Sequence, residues 1–361
     1  MSESKLPARM MAVKSVIGPK GNSLIRTREV PLPRLRKGYA LVRVFAVALN
    51  PSDWQKAFFI TTDGATLGTD FAGVLVQLSE NDDRKLQPGD RVFGMTMNSN
   101  PLEHEDGCFG EYALVKQHLL ARIPDTLSFT SGCTLGTAIV TAGLVLYRSL
   151  DLEMPKADSS LPLKDEYLLV NGGSTATGTI VIQLARLSGY RVISTNRPHN
   201  DELVLAAGAE RTFDYRQEHC AVEILNFTRG TLTRAVDCIS SSGSAAICST
   251  AMGKAGGKVC FLLPMEKAKV PRNDVVIEVI YAYSAIDEPY EIGLQRELMQ
   301  PLPEDVTLAR QFLPLSESLL SDNKIKPHPI EKRSGGLGGI HRGLKDLQDG
   351  KISGRKLVYE V

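Results

Sequence analysis

The sequence lacks the charge imbalance and the long apolar runs that mark several classes of protein. Lysine and arginine number 42 against 41 aspartate and glutamate residues, so the net charge is only +1. Nucleic-acid binding usually shows as a basic excess, so we expect no nucleic-acid partner. No run approaches about 18 apolar residues and the N-terminus has no apolar signal segment, so neither a membrane span nor secretion is expected. These absences predict a soluble, cytoplasmic protein.

The cysteines are too far apart in sequence to suggest a metal cluster. The six are Cys108, Cys133, Cys220, Cys238, Cys248 and Cys260, and no two of them form a CxxC pair. A structural zinc lobe needs closely spaced thiolates, and a long cytosolic chain needs no disulfide framework. We therefore expect thiols that are buried as small apolar side chains, and no metal site.

Two different patterns divide the 361 residues. From about residue 38 to 125, short β-rich runs are broken by Gly, Pro and Asp with almost no helical period, which predicts a compact β-barrel-type domain. Further along, strands and helices alternate, which predicts a doubly wound Rossmann domain on a parallel sheet. The predicted α/β protein has its first β part at 1–130, the Rossmann domain at 131–307 and a return to the β domain at 308–361. Residues 130–150 are long enough for one helix.

The strongest local signal is VNGGSTATG at 170–178, where a buried strand runs into a glycine turn and a helix. Gly172 and Gly173 allow a tight turn, and Gly178 allows the helix to pack closely on the strand. Backbone N–H groups at the helix N-terminus suit a pyrophosphate. Thr175 replaces the middle glycine of the full dinucleotide fingerprint, so a glycine-rich turn of any α/β protein is the alternative. The strand–turn–helix setting favours a dinucleotide.

The next strand indicates which dinucleotide. NAD-binding units end this strand with an acid that accepts the ribose hydroxyls, but Thr195, Asn196 and Arg197 stand here instead. A carboxylate would repel a 2′-phosphate, whereas the Arg197 guanidinium can bind it in a bidentate manner. NADP(H) is therefore favoured over NAD(H), although Arg197 could also be a solvated loop residue. His199 is as well placed to cap the following helix as to contact phosphate.

Several strings resemble the medium-chain dehydrogenase/reductase superfamily, namely ALNPSDWQ, GTDFAGVL and PGDRVFG. Within it, NGGSTATGTIVIQLARLSGY, NRPHN, FDYR, VDCIS and GKISGRKLV are most similar to the fungal trans-acting enoyl reductases of polyketide biosynthesis, of the lovastatin-pathway reductase type. The resemblance implies a GroES-like catalytic domain beside the Rossmann domain and NADPH as the cofactor. It also implies a monomer that serves the carrier protein of an iterative polyketide synthase, whereas related quinone reductases suggest dimers.

Two departures from the zinc-dependent members of the superfamily stand out. Pro51-Ser52-Asp53 occupies the place where a cysteine ligand would follow the first long strand, and Thr69-Asp70 replaces the expected His-Glu pair. Zinc prefers thiolate and imidazole ligands, so we expect zinc-independent chemistry. Reduction of an activated C=C bond is then favoured over alcohol oxidation.

The resemblance assigns a site residue by residue. The implied cofactor residues are Pro51, Ser52, Asp53 and Trp54 at the nicotinamide, Gly172, Gly173, Ser174, Thr175, Ala176 and Thr177 at the pyrophosphate, Arg197, Pro198, His199 and Asn200 at the adenosine phosphate, Tyr215 near the adenine, and Leu262, Leu263, Ile352 and Ser353. Core packing is the alternative for Leu262, Leu263 and Ile352. The implied substrate residues are Thr137, Ala138, Ile139, Val140, Thr141, Ala142, Gly143 and Leu144, with Tyr283, Ser284, Ala285, Ile286 and Asp287.

The proton donor is less well marked. Trans-acting reductases have a lysine directly after the aspartate-containing segment, but Gln55 stands at that place here and Lys56 follows it. Lys56 is the candidate catalytic residue, with a surface lysine and donation by solvent as the alternatives. No tyrosine–lysine pair is evident in the sequence.

The favoured function is a trans-acting enoyl reductase that moves hydride from NADPH to the C=C bond of an α,β-unsaturated thioester on a synthase carrier protein. One alternative is a stand-alone quinone or enone reductase on free small molecules, which would share the fold and the cofactor. Another is a non-reducing auxiliary of the same fold. The sequence carries no recognisable signal for the polyketide, its chain length, its methylation or its stereochemistry.

Overall fold

The computed structural model describes residues 6–80, 84–157 and 161–361. The chain forms two compact units, each of which is described by itself below. Unit 1 comprises Met1–Thr137, Tyr283–Leu302 and Pro329–Val361, and unit 2 comprises Ala138–Ala282 and Pro303–His328.

The strands are short and are numbered in chain order. They are β1 (Arg9–Ile17), β2 (Ser23–Pro31), β3 (Tyr39–Ala48), β4 (Asp70–Leu78), β5 (Arg91–Met95), β6 (Tyr112–Lys116), β7 (Leu120–Arg122), β8 (Tyr167–Asn171), β9 (Arg191–Asn196), β10 (Arg211–Asp214), β11 (Arg234–Asp237), β12 (Gly257–Phe261), β13 (Val275–Val279), β14 (Tyr290–Ile292), β15 (Glu297–Met299), β16 (Ile330–Arg333) and β17 (Lys356–Glu360).

The α-helices are numbered in the same way. They are α1 (Pro51–Phe58), α2 (Phe129–Gly132), α3 (Gly136–Gly143), α4 (Ala176–Leu187), α5 (Asp201–Ala206), α6 (Cys220–Phe227), α7 (Ser242–Thr250), α8 (Pro303–Ser321) and α9 (Gly336–Gln348). A π-helical segment, Leu144–Ser149, follows α3 directly. Short 3₁₀ turns include Pro198–Asn200 and Ala282–Ile286.

Unit 2 is built on a parallel sheet with the strand order β10-β9-β8-β11-β12-β13. Its strands are apolar because helices lie against the sheet, and the core on one face joins alternate strand residues to α6 and α7. The chain reverses its direction of winding between β8 and β11. In open sheets of this kind, ligands bind beyond the carboxyl ends of the strands at such a switch point. The predicted doubly wound domain is confirmed, and its expected ligand edge is the loop that follows β8.

Unit 1 is the β-rich part of the chain. Its larger sheet has the order β16-β17-β3-β4-β5-β7, with β6 also paired to β3, and β1 and β2 form a separate antiparallel pair. Register shifts between β3 and β4 mark irregularities that bend the sheet. The C-terminal strand β17 pairs antiparallel with β3, with Val358 opposite Ala48.

The unit boundaries differ from those placed on the sequence. Residues 283–302 belong to unit 1 and 303–328 to unit 2, whereas the sequence ran the Rossmann domain to 307 and returned to the β domain at 308. The physical reason lies in two elements. The β14–β15 hairpin is antiparallel and does not extend the parallel sheet. Helix α8 packs within unit 2, where Phe312 lies against Gly143 so closely that a Cβ there would come 2.5 Å from the ring.

The sequence prediction was wrong about two helical segments. It found almost no helical period between 38 and 125, but α1 begins at Pro51 in that stretch. Proline suits the first position of a helix, and the Asp53 carboxylate accepts the backbone N–H of Asn50 at 2.7 Å, half of a capping box. The single helix expected over 130–150 is instead α2, α3 and the π-helical segment. Gly136 is the first residue of α3. A Cβ there would lie 2.1 Å from the Gly94 carbonyl oxygen, so the position needs a glycine.

One arginine of the π-helical segment contacts both the sheet of unit 2 and α8. Arg148 pairs with Glu278 on β13, and its Nε lies 2.8 Å from Asp305 on α8. All three residues belong to unit 2, so the segment joins its sheet to α8.

The stretch Phe129–Ser149 is long and apolar enough to cross a membrane by length and composition alone. Within its most apolar 18 residues, however, 78% are buried inside the protein.

The cysteines are buried, apart from Cys238, which is half-buried. Burial raises the pKa of the Cys220 thiol to about 11 and the pKa values of the Cys238 and Cys260 thiols to about 12. Thiols with raised pKa values are poor nucleophiles and ligands, because only the thiolate reacts. The expectation that they pack as small apolar side chains is met for the five buried residues.

A buried ion pair ties the C-terminal strand into unit 1. Lys356 at the start of β17 pairs with Asp70 at the start of β4, and the two side chains are 4% and 0% exposed. Asn50, just before α1, accepts from Lys356 at 2.8 Å and donates to Asp70 at 2.9 Å. The other Asp70 oxygen accepts both the backbone N–H and the hydroxyl of Thr137, at 2.6 and 2.7 Å.

Removing one partner of this pair should destabilise the fold strongly, because the other charge stays buried. We expect Lys356→Met to lower the free energy of unfolding by about 3–5 kcal/mol in a urea titration. The double variant Asp70→Asn/Lys356→Met removes both charges and should recover part of that loss. A loss below about 1 kcal/mol in the single variant would mean that the pair is not held as the structure has it.

Candidate active site

The loop from β8 to α4 has the geometry that a pyrophosphate needs. Gly172 adopts a φ of +82°, which favours glycine, and a Cβ on Gly178 would lie 2.4 Å from the Gly172 carbonyl oxygen. The Thr175 hydroxyl caps the helix by accepting the Gly178 N–H at 2.9 Å. In any α-helix the first N–H groups lack intrahelical acceptors, so those of Ala176 and Thr177 are open to an anion.

Side chains at the strand ends hold this loop in place. The Asn171 amide donates to Asp237 at the end of β11 at 2.8 Å, and Thr195 donates to Asn171 from β9. One oxygen of Asp237 and the amide oxygen of Asn196 are buried without a hydrogen-bond partner. Both atoms are acceptors near the carboxyl edge of the sheet. They suit a ligand that carries hydroxyl or amide donors, as a dinucleotide does, and the sequence reasoning did not single them out for this role.

The chain that leaves β9 begins with a cation, Arg197. Arg197 is exposed, and its Nε donates to the hydroxyl of Tyr215 at 2.9 Å. No carboxylate of the described residues forms an ion pair with Arg197, since the nearby Asp214 pairs with Arg216 and Asp201 accepts from Asn196. The Arg216 guanidinium holds the pKa of Asp214 down at about 2. The structure thus brings together Arg197 and Tyr215, the two side chains assigned to the adenosine end of the cofactor.

In unit 1, Lys56 lies in an apolar setting on α1. It is 9% exposed, and its Nζ lies 5.3 Å from the centre of the Tyr283 ring. Burial lowers the pKa of the Lys56 ammonium to about 8, with Glu291 opposing that shift and Arg296 adding to it. The two charged residues come from the β14–β15 hairpin and its tip. A buried lysine whose pKa falls near neutrality is typical of a functional site.

A second buried acid lies on the same helix. Asp53 accepts the Thr69 hydroxyl at 2.7 Å in addition to the Asn50 backbone N–H. Burial raises the pKa of the Asp53 carboxyl to about 7 despite these hydrogen bonds. The segments that depart from the zinc-binding pattern, 51–53 and Thr69-Asp70, therefore form a hydrogen-bonded network. Among the described residues, no group of three His, Cys, Asp or Glu side chains is arranged to hold a metal ion. Zinc independence stays a prediction.

The remaining assigned residues fall in both units. Unit 1 holds Pro51–Trp54, Thr137, 283–287, Ile352 and Ser353, and unit 2 holds Ala138–Leu144, 172–177, 197–200, Tyr215, Leu262 and Leu263. The backbone N–H groups of Leu262 and Leu263 both donate to the Ser240 hydroxyl, at 3.0 and 3.1 Å. Leu263 is exposed, whereas Leu262 and Ile352 are half-buried. Their roles as contacts stay predictions.

Comparison with known proteins agrees with this architecture. Residues 36–125 match the family described as the alcohol dehydrogenase GroES-like domain. A putative zinc-dependent alcohol dehydrogenase from Rhizobium etli has a TM-score of 0.76 at 21% identity, covering 99% of both chains. A quinone oxidoreductase from Coxiella burnetii has a TM-score of 0.67 at 21% identity, covering 98% of this chain and 99% of that one. At such identities the likeness shows the fold, and the predicted GroES-like domain with a Rossmann domain is confirmed.

Curated relatives are more similar. Trans-enoyl reductase ACTTS2 of Alternaria alternata is 39% identical over 338 residues, which cover 93% of this chain and 96% of that protein. Trans-enoyl reductase iccB of Talaromyces variabilis is 35% identical over 370 residues, which cover 99% and 98%. Both alignments run through unit 1 and unit 2 alike. The chain therefore belongs to the trans-enoyl reductases, a family of the medium-chain dehydrogenase/reductase superfamily.

Proposed function

We propose that this protein is a trans-acting enoyl reductase that uses NADPH to reduce the C=C bond of an α,β-unsaturated polyketide thioester. Two features carry the proposal, one in each unit. Unit 2 has a glycine loop after β8 and, at the end of β9, Arg197, which forms no ion pair within the described part of the chain. Unit 1 has the buried Lys56, whose pKa burial lowers to about 8. The names of the full-length relatives point to the same activity.

The cofactor residues of this chain have separate tasks in the proposal. The fold implies a nicotinamide cofactor, and the open N–H groups at the start of α4 would bind its pyrophosphate. Arg197 would bind the 2′-phosphate, and Tyr215, which holds Arg197 through its hydroxyl, would lie against the adenine. When bound, the cofactor supplies the hydride for the β-carbon of the substrate. Pro51 to Trp54 stay the proposed nicotinamide residues.

Lys56 is the proposed source of the proton that reaches the α-carbon. An ammonium with a pKa of about 8 is protonated at neutral pH and yet gives up its proton readily. Its neighbour Gln55 has no titratable group. Lys56 lies one residue after the place where the resemblance implies a lysine, and its Nζ lies 5.3 Å from the centre of the Tyr283 ring.

The substrate would arrive on the carrier protein of an iterative polyketide synthase, and the enzyme would act as a monomer. One candidate docking face is the set Lys254, Lys258, Lys267 and Lys269. Lys258 pairs with Glu278, Lys267 donates to backbone carbonyl groups, and Lys269 pairs with Glu266. These engaged side chains favour a structural role for three of the four lysines. The cytoplasmic location also stays a prediction.

The activity is tested by NADPH oxidation with purified protein. We expect turnover of a 2-enoyl pantetheine thioester, no turnover of a free quinone, and no oxidation without an acceptor, because the proposed substrate is a thioester. Quinone turnover alone would support the stand-alone reductase instead. Binding of NADPH without reduction of either acceptor would favour the non-reducing auxiliary, provided that addition of a synthase does not restore turnover.

Cofactor choice is tested at Arg197. We expect Arg197→Ala to raise the dissociation constant for NADPH about 10- to 100-fold, because a charge-assisted contact to the 2′-phosphate is worth about 1.5–3 kcal/mol. NADH lacks that phosphate, so its affinity should change little in a fluorescence titration. Arg211→Ala is the matched control, because Arg211 lies at the start of β10 and Tyr215 follows the end of that strand. Equal losses for both cofactors would place the 2′-phosphate elsewhere.

The role of Lys56 is tested by the pH dependence of turnover. With the wild-type protein, kcat for the enoyl thioester should be level at lower pH and fall above about pH 8, where the ammonium loses its proton. Lys56→Met should lower kcat about 10²- to 10⁴-fold and lose that alkaline decline. Gln55→Met controls for a change on the same helix. An unchanged profile in Lys56→Met would make solvent the donor.

A further inference from the structure

Tyr283 has two ends with different surroundings. Its ring is partly exposed and carries the Lys56 Nζ over one face, whereas its hydroxyl oxygen is buried without a hydrogen-bond partner. The hydroxyl lies near Ser52, Thr69 and the backbone of Asn98, and burial raises its pKa. Thr69 donates its own proton to Asp53, so its oxygen could only accept from the Tyr283 hydroxyl, and no such hydrogen bond is formed. A buried hydroxyl that finds no partner costs stability, so the hydroxyl is not what holds this side chain in place.

The segment that carries Tyr283 is anchored to residues on and beside the larger sheet of unit 1. His118 is within 2.8 Å of the Ala285 carbonyl oxygen. Glu288 accepts from the Tyr39 hydroxyl and pairs with Lys116, both at 2.8 Å. Arg296, at the tip of the hairpin that follows, donates to the Thr61 carbonyl oxygen just beyond α1. The ring therefore has a fixed position relative to α1, and so does the face that it turns to Lys56.

The contact between the ammonium and the ring differs in kind from an ion pair. A carboxylate partner would stabilise the charge strongly and hold the proton on Lys56. An aromatic face within about 6 Å attracts a cation more weakly, through the ring quadrupole. No hydrogen bond or ion pair to Lys56 is present among the described residues, so the ring is its fixed neighbour. Glu291 and Arg296 act on it only at longer range and with opposite signs.

We infer that Tyr283 is a positioning residue for Lys56: its ring face orders the ammonium without an acid that would hold back the proton. The inference rests on the proposed function for the catalytic use of Lys56, but the contact itself does not. In the reduction, hydride adds to the β-carbon, and the π electrons of the C=C bond move to the α-carbon. Lys56 gives that carbon a proton, becomes a neutral amine and regains a proton from solvent. Tyr283 gains and loses nothing in this sequence.

The test uses the full-length protein and two readouts. The first is the NMR titration of lysine labelled at Cε, with the Lys56 signal assigned by its loss in Lys56→Arg. We expect Tyr283→Leu to lower the Lys56 pKa by about half a unit to one unit, because the attraction of the ring is gone. Tyr283→Phe keeps the ring and should leave the titration unchanged. It should also leave the melting temperature unchanged or raise it, since an unpaired buried hydroxyl is removed.

The second readout is kcat against pH with the enoyl pantetheine thioester. Tyr283→Leu should lower kcat, and it should move the alkaline decline to lower pH by as much as it lowers the Lys56 pKa. Tyr283→Phe should have the kcat and the pH profile of the wild type. Tyr290→Phe makes the same chemical change in the neighbouring hairpin and serves as the control. A loss of kcat in Tyr283→Phe equal to that in Tyr283→Leu would overturn the inference in favour of a role for the hydroxyl.

The two readouts separate this inference from the proposed function. If the wild-type protein reduces no enoyl thioester, the proposed function fails, while the titration still reports whether the ring sets the state of Lys56. If the Lys56 titration is the same in Tyr283→Leu and the wild type, the positioning role fails even where the enzyme turns over. A rise of the Lys56 pKa in Tyr283→Leu would also overturn it. Such a rise would mean that removal of the ring stabilises the ammonium through hydration more than the lost attraction destabilises it.

Discussion

The carboxylate of Asp70 is the point on which unit 1 depends. Through hydrogen bonds and one ion pair it joins Asn50 before α1, Thr137 in α3 and Lys356 at the start of β17. These residues are far apart in the chain, and a buried carboxylate is tolerated only when its oxygens are satisfied in this way. Because α1 also carries Asp53 and Lys56, the same anchor fixes the helix from which the proposed proton donor extends. The buried Asp70 carboxylate therefore contributes both to the stability of unit 1 and to the position of Lys56.

The fold could be read from the sequence where local pattern and global architecture agree. Strand β8, the glycine loop and α4 were foreseen closely, since a buried apolar strand, a glycine turn and an amphipathic helix each leave a mark on the sequence. The alternation of strands and helices predicted the parallel sheet, whose strand order is β10-β9-β8-β11-β12-β13. The extent of each unit did not follow, because the hairpin at 290–299 and the packing of α8 are set by contacts between distant residues.

The candidate residues of the two units were predicted on different grounds. In unit 2 the candidate cofactor residues lie in a contiguous motif, and the lack of an acid directly after β9 could be read at Asn196 and Arg197. In unit 1 the candidates Ser52, Lys56 and Tyr283 share no local motif, and only the family resemblance named them. The pair Lys56–Tyr283 was not evident, since its members are more than 200 residues apart and meet only after folding. The sequence prediction for 38–125 also missed the start of α1, which is marked by Asn50 at the N-cap, Pro51 at the first position and Asp53 at the third.

The π-helical segment Leu144–Ser149 has a consequence for the direction of Arg148. A π-helical turn holds one residue more than an α-helical turn, so it corresponds to an insertion that is absorbed without breaking the helix. Each inserted residue rotates everything after it by about 100° around the helix axis. If these same residues formed a regular α-helix, Arg148 would point in a different direction from its partners Glu278 on β13 and Asp305 on α8. The contacts of Arg148 therefore depend on the π-helical geometry of this segment.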